Sequence, residues 1–284
     1  MTELTHPDRQ ERESNAPDGN EPSLEGRPAL RGENLVLGYG DEPIVDGESL
    51  EIPAGEITAI VGPNGSAKST LLRALARQLE PDAGTVVLDG RDVTEFGDKA
   101  FARTLGLLSQ ESVSPDSVTV EELIYHGRYP HRGFFEPVGD DDRAAVERAI
   151  ELAGVEDLRD REVGALSGGQ RQLAWIAMAL AQETDVLLLD EPTTFLDLRH
   201  QLMVMDVVER LNEESKTTIV LVVHDIGQAA RHAKHVIALQ EGTVYARGPP
   251  AEVLTEELLA DVFGVEATVE TVDGQLRVLA DRPL

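Results

Sequence analysis

The chain has 284 residues, enough for one large α/β domain or a domain plus a lobe, and its 41% hydrophobic content must form a largely aliphatic core because aromatics are only 4%. Fifty-three acidic residues against 25 basic ones give a net charge of −28, a field that repels phosphate backbones and argues against nucleic acid as a partner. Cysteine is absent, which excludes a disulfide framework and any thiolate metal site. The only lysines are Lys68, Lys99, Lys216 and Lys234. An acid-rich, lysine-poor surface of this kind resembles the cytosolic proteins of extreme halophiles, where concentrated salt screens self-repulsion.

Residues 1–27 are polar and rich in carboxylates, Pro, Gly and Asn, and they lack the apolar stretch of a signal peptide. They are expected to form a disordered acidic tail. No segment reaches the roughly 20 apolar residues of a membrane-spanning helix, so any membrane role is exercised from the surface. Alternating apolar residues over Leu30–Tyr39 and Ser49–Ile52 predict antiparallel strands. Ile57–Val61 is an apolar run of strand length that ends in a Gly-rich turn, and Leu71, Leu72, Leu75 and Leu79 then mark one face of a helix. Val86–Leu88 and Leu105–Leu108 are further short strands.

Between about residues 111 and 166 strand-like runs vanish. Helical stretches over Val120–Arg128 and Asp142–Ala153 flank an aromatic loop, Tyr129–Pro137, as expected of a helical lobe inserted into the α/β core. The core resumes with a helix near Gly168–Ala181, the strand Val186–Leu189, a helix near Arg199–Leu211, the strand Thr218–Val223 and a helix over Ile226–His232. This alternation predicts a mostly parallel sheet covered on both faces. Ala267–Val272, an Asp273–Gly274 turn and Gln275–Leu279 read as a terminal hairpin extension over 266–284.

Three segments carry chemistry. Gly62, Pro63, Asn64, Gly65, Ser66, Ala67, Lys68, Ser69 and Thr70 lie between a strand and a helix. Backbone N–H groups of such a turn converge on a phosphate, and the helix points its positive end at the same anion. Lys68 would reach the β- and γ-phosphates, and the Ser69 hydroxyl would ligate Mg²⁺. The pattern asks for Gly where this chain has Ala67; at positive φ the methyl group costs roughly 1–2 kcal/mol, and at negative φ little. The second segment, Val186–Pro192, is a buried strand ending in Asp190, able to hold a metal, and Glu191, able to polarise a water. In the third, Ser167 reads as an N-cap, and Gly168 and Gly169 bare the first-turn N–H groups of a second anion-binding helix end, followed by Gln170.

From about Leu30 to Val265 the chain resembles the ABC ATPase family. The phosphate loop, Gln110 at the end of a strand, the LSGGQ signature, the Asp190–Glu191 pair and His224 after an apolar strand appear in the family's order. The resemblance implies an α/β P-loop NTPase core with a mostly parallel sheet, an antiparallel β edge subdomain and an inserted helical lobe. It further implies ATP and Mg²⁺ as cofactors, adenine stacking on Tyr39, Gln110 as a Mg²⁺-sensing lid residue, Glu191 as general base, His224 on the γ-phosphate and Asp197 as the loop residue that couples two subunits. A head-to-tail homodimer follows from it, with Ser167, Gly168, Gly169 and Gln170 serving the partner's nucleotide. It also implies two transmembrane permease subunits, an extracytoplasmic substrate-binding protein, and a peripheral position at the cytoplasmic face of the membrane.

The segments GRYPHR, PTTFLDLRHQ and HDIGQAARHAKHVIAL are similar to the subfamily that energises uptake of ferric siderophores, haem and cobalamin. Siderophore import is the first expectation and cobalamin the next. The rival readings are a soluble ABC ATPase without a transport role, which typically carries two cassettes or a long coiled-coil insert, and a nucleotide-binding regulatory subunit with weak turnover, which Ala67 would favour. Trp175 is expected only to pack a helix.

Overall fold

The computed structural model describes residues 28–40, 42–110, 116–133 and 136–284. The expected acidic tail and part of the Tyr129–Pro137 loop lie outside the described residues. Strands β1 (Pro28–Gly38) and β2 (Pro43–Pro53) pair antiparallel through several bulges and bury Leu30, Leu35, Leu37, Val45, Leu50 and Ile52. The second strand starts well before the expected Ser49, because Asp46, Gly47 and Glu48 interrupt the alternation while the backbone still pairs. Next come β3 (Ile57–Val61) and α1 (Lys68–Leu75), whose Leu71, Leu72 and Leu75 are buried. Strands β4 (Ala83–Leu88) and β5 (Arg91–Asp92) complete a four-stranded antiparallel sheet in the order β2-β1-β4-β5. A short helix that the sequence pattern did not reveal, α2 (Asp98–Thr104), buries only Phe101 and leads into β6 (Leu105–Leu108).

The helical lobe contains α3 (Val120–His126), capped reciprocally by Thr119 and Glu122, and α4 (Asp140–Ala153). Both pack on α5 (Gly168–Ala181), which carries Trp175 in the core and returns the chain to the sheet. There follow β7 (Val186–Asp190), α6 (Leu198–Ser215), β8 (Thr218–Val222), α7 (Ile226–His232), β9 (His235–Gln240) and β10 (Thr243–Gly248). The main sheet runs β10-β9-β3-β8-β7-β6, all parallel except β10 on β9. Every residue of β3, β7 and β8 is buried, and successive side chains serve opposite faces. Ala59, Val61, Leu187, Leu189, Ile219 and Leu221 meet the lobe-side helices, whereas Ile60, Leu188, Val220 and Val222 meet α1 and the antiparallel sheet.

After α8 (Pro250–Val253) and α9 (Glu256–Phe263), strands β11 (Val265–Val272) and β12 (Gln275–Pro283) form a separate hairpin. Its turn has Asp273 and Gly274 both at positive φ, the geometry a two-residue hairpin loop needs, and Leu276 and Val278 pack against the lobe-side core.

Carboxylates are spread over the solvent faces, among them Asp140, Asp141, Glu213, Glu214, Glu256, Glu257, Glu266 and Glu270. The screening length shrinks from about 30 Å at 0.01 M salt to about 3 Å at 1 M. The melting temperature is therefore expected to climb by several degrees from low to molar KCl; an unchanged melting temperature would remove self-repulsion as a determinant of stability.

Candidate nucleotide site

The turn between β3 and α1 is built for close backbone approach. A Cβ at Gly62 would lie 2.3 Å from the Leu239 carbonyl oxygen, so the first loop glycine is needed where the loop meets β9. Gly65 and Ala67 both have positive φ, at 81° and 76°. Ala67 thus adopts the left-handed conformation that favours glycine, with its methyl buried beside α1. Strain of about 1–2 kcal/mol is offset by about 0.8 kcal/mol of methyl burial and by the 0.4–1 kcal/mol or so by which alanine restricts the unfolded chain. Ala67→Gly is accordingly expected to change unfolding free energy by less than about 1 kcal/mol in denaturant titration; a gain above about 2 kcal/mol would show that the loop is held under strain.

Lys68 is buried, and its Nζ donates to the carbonyls of Gly62 and Pro63, each at 2.9 Å. Burial lowers the pKa of this ammonium, opposed by the nearby Glu191 and Asp190 carboxylates. Ser66 Oγ is buried in the same loop without a hydrogen-bond partner. A phosphate oxygen is the kind of acceptor that would satisfy both groups. Ser69 Oγ donates to Asp190 Oδ1 at 3.0 Å, which joins the first turn of α1 to the end of β7. Burial raises the Asp190 carboxyl above its usual range despite the Ser69 hydroxyl. Two oxygen donors at this spacing, one of them a desolvated carboxylate, fit a small divalent cation such as Mg²⁺.

The chain leaves β7 through Glu191 at φ 52°, a strained conformation that turns its side chain into a ring of donors. Gln110 Nε2 donates to Oε2 at 2.9 Å, Thr194 Oγ1 donates to the same oxygen at 3.1 Å, and His224 Nε2 lies 2.5 Å from Oε1. Asn64, Gln110, Glu191, Thr194, Phe195 and His224 line one cavity over the phosphate loop. A larger groove at the opposite ends of the strands, with Gly55, Asp185 and Thr218 in its lining, contains none of the expected site residues. Tyr39 is exposed and its hydroxyl accepts from Arg73 on α1 at 3.4 Å, so the ring stands beside the helix that starts at the phosphate loop.

Ser167 caps α5, its hydroxyl accepting from the Gln170 N–H at 3.3 Å while its own N–H donates to Gln170 Oε1 at 3.2 Å. Gly168 is exposed, but Gly169 is buried, so only the first of the two glycines leaves an open helix start. None of the residues 167–170 lines the cavity around Glu191. Asp197 caps α6 by accepting from the His200 N–H at 2.9 Å, and that backbone bond is the main reason its carboxyl is held below the usual range. Sequence reasoning missed Thr194 and Arg73. A Thr three residues beyond a strand-end acid is a weak signal for the first; nothing local to the second distinguishes it from other helix-surface arginines.

Solved structures of ABC cassettes have this fold. A chain from Clostridium perfringens, cbiO1 of the cbiONQ transporter complex, superposes with a TM-score of 0.72 at 30% identity, covering 81% of this chain and 92% of that one. The dimeric bacterial cassette MJ0796 gives a TM-score of 0.69 at 28% identity, covering 78% of this chain and 98% of that one. The family model for ABC transporters matches residues 45–194. The chain belongs to the ABC transporter family, and it carries that family's ATPase domain. Among its relatives, the ferric enterobactin transport ATP-binding protein FepC of Escherichia coli (strain K12) is 47% identical over 240 residues, 84% of this chain and 89% of that one. The iron(3+)-hydroxamate import ATP-binding protein FhuC of Bacillus subtilis (strain 168) is 44% identical over 86% of this chain and 90% of its own length. The hemin import ATP-binding protein HmuV of Rhodococcus jostii (strain RHA1) is 40% identical over 92% and 89%.

Proposed function

We propose that this chain is the ATP-hydrolysing subunit of an importer that takes up ferric siderophores or a related metal chelate, with haem and cobalamin as the neighbouring possibilities for the cargo. The observation that carries the hydrolytic part is the Glu191 carboxylate, oriented by Gln110, Thr194 and His224 over a phosphate loop whose Lys68 donates to backbone carbonyls and whose buried Ser66 Oγ has no hydrogen-bond partner. The names of its relatives support the cargo class.

In this reading the loop N–H groups and Lys68 hold the β- and γ-phosphates of ATP, and Tyr39 stacks on adenine. Ser69, Asp190 and Gln110 are the residues that would hold Mg²⁺, which would supply charge neutralisation on the phosphate oxygens. Glu191 accepts the proton of the attacking water, and His224 fixes Glu191 while standing where the γ-phosphate arrives. The open start of α5 lies away from the cavity of its own chain, which favours a head-to-tail homodimer in which Ser167, Gly168 and Gln170 of one chain complete the site of the other. Asp197 lies in the loop that would face the partner subunit. Among the described residues no helix is long and apolar enough to cross a membrane, and the subunit would act peripherally, at the cytoplasmic face, on two permease subunits fed by an extracytoplasmic binding protein.

The test is growth with a ferric siderophore as sole iron source. Deleting the gene should abolish it, wild type should restore it, and Glu191→Gln should not. A deletion strain that grows normally on siderophore iron but fails on haem iron or on limiting cobalamin would move the cargo to that class.

A further inference from the structure

His200, in the first turn of α6, has no part in the chemistry above, yet its ring touches both of the motifs that a two-site ATPase must coordinate. On one side Nδ1–H donates to Asp197 Oδ1 at 2.9 Å, the oxygen that already accepts from the His200 backbone N–H. On the other side the ring is packed against the signature: a Cβ built on Gly169 would sit 2.2 Å from Cγ and 2.3 Å from Cδ2 of the imidazole. Residue 169 can only be glycine while that ring is in place. The next residue acts in the opposite direction. Gln201 Nε2 donates to the carbonyls of Leu196 and Thr193, at 3.1 and 3.4 Å, and so ties the loop that begins at Glu191 to α6.

We propose that His200 is a positioning residue that locks the Glu191–Asp197 loop to the signature helix of its own chain, so that a change at one nucleotide is passed to the signature serving the other. This rests on the head-to-tail reading. In that dimer the loop belongs to the chain's own site and the signature to its partner's, and the imidazole is a rigid, polar and apolar spacer between them. Removal of the ring leaves a void over Gly169 and frees Asp197 from its side-chain contact, while the phosphate loop keeps all its own contacts.

The experiment uses the full chain, purified in molar KCl, with hydrolysis followed as a function of Mg-ATP concentration and thermal melts alongside. His200→Ala is expected to lower kcat about tenfold or more with melting temperature close to wild type, and its Hill coefficient for ATP should fall toward one. Gly169→Ala should melt several degrees below wild type, and adding His200→Ala should restore most of that loss, because the clash is with the ring. Wild-type kcat and cooperativity in His200→Ala would overturn the proposal, as would strictly additive melting shifts in the double variant. A wild-type enzyme that turns over ATP without any cooperativity would instead remove the two-site reading on which the proposal stands.

Discussion

Glu191→Gln is expected to cut steady-state Mg-ATP hydrolysis by at least about a hundredfold while the protein stays folded and still binds ATP. A carboxylate offers about four acceptor positions. In this structure two on Oε2 are taken by Gln110 and Thr194, and one on Oε1 by His224. One direction on Oε1 remains for an attacking water. A glutamine amide in the same place can accept from Gln110 and Thr194 through its oxygen and donate to a neutral His224 through its nitrogen. The framework of hydrogen bonds therefore survives, and what disappears is the group that takes the proton. Phosphate release and size-exclusion chromatography with Mg-ATP read the two halves separately. Turnover within a few-fold of wild type would transfer the role of base to another group.

Arg128→Ala is expected to destabilise the protein by about 3 kcal/mol or more, seen as a lower denaturant midpoint with an unchanged slope. The guanidinium is buried at the end of α3. Its Nε donates to Asp142 Oδ1 at 3.1 Å, and Nη1 donates to the Ala181 carbonyl at 2.7 Å and to Glu183 Oε2 at 2.8 Å. One side chain thereby joins the start of α4 and the end of α5 to the segment that follows α3. Burial pushes the Asp142 carboxyl up, but the Gly139 N–H and Arg128 outweigh it and hold the pKa below the usual range. Since the folded value is the lower one, this stabilisation is complete above the ordinary carboxylate pKa and is lost as pH falls through the depressed one. Loss of the arginine leaves Asp142 buried with a single N–H donor, whereas Glu183 retains Arg148 and partial exposure. Removing Asp142 together with Arg128 should cost less than removing Arg128 by itself, and a larger loss in the double variant would contradict the unpaired-charge account.

The sheet centre was legible because β3, β7 and β8 are buried on both faces and so read as largely aliphatic runs, with Thr58, Thr218 and Asp190 their polar residues. β9 is buried over its four central residues, but it follows α7 after a two-residue connection, and its apolar stretch merged with the helical pattern before it. α2 was invisible for the opposite reason, since a seven-residue helix with one buried side chain has no period to detect. The phosphate loop, Asp190, Glu191, Ser167 and His224 were readable as local patterns. That Gln110 and His224 converge with the local Thr194 on one carboxylate was not, because those two arrive from separate segments and meet Glu191 only through tertiary packing. The sign of φ at Ala67 was likewise undecidable from sequence, as alanine is compatible with either conformation at a modest cost. Asp197 and His200 share a helix turn, and a helix-surface histidine three residues after its cap ordinarily reads as solvated.

The groups around Glu191 also limit how far its carboxylate is free to turn. Gln110 lies just past β6 and His224 just past β8, so the carboxylate is held from the ends of the two strands that flank β7. The one acceptor direction left on Oε1 is therefore aimed by the order of three neighbouring strands, two of which are buried along their whole length.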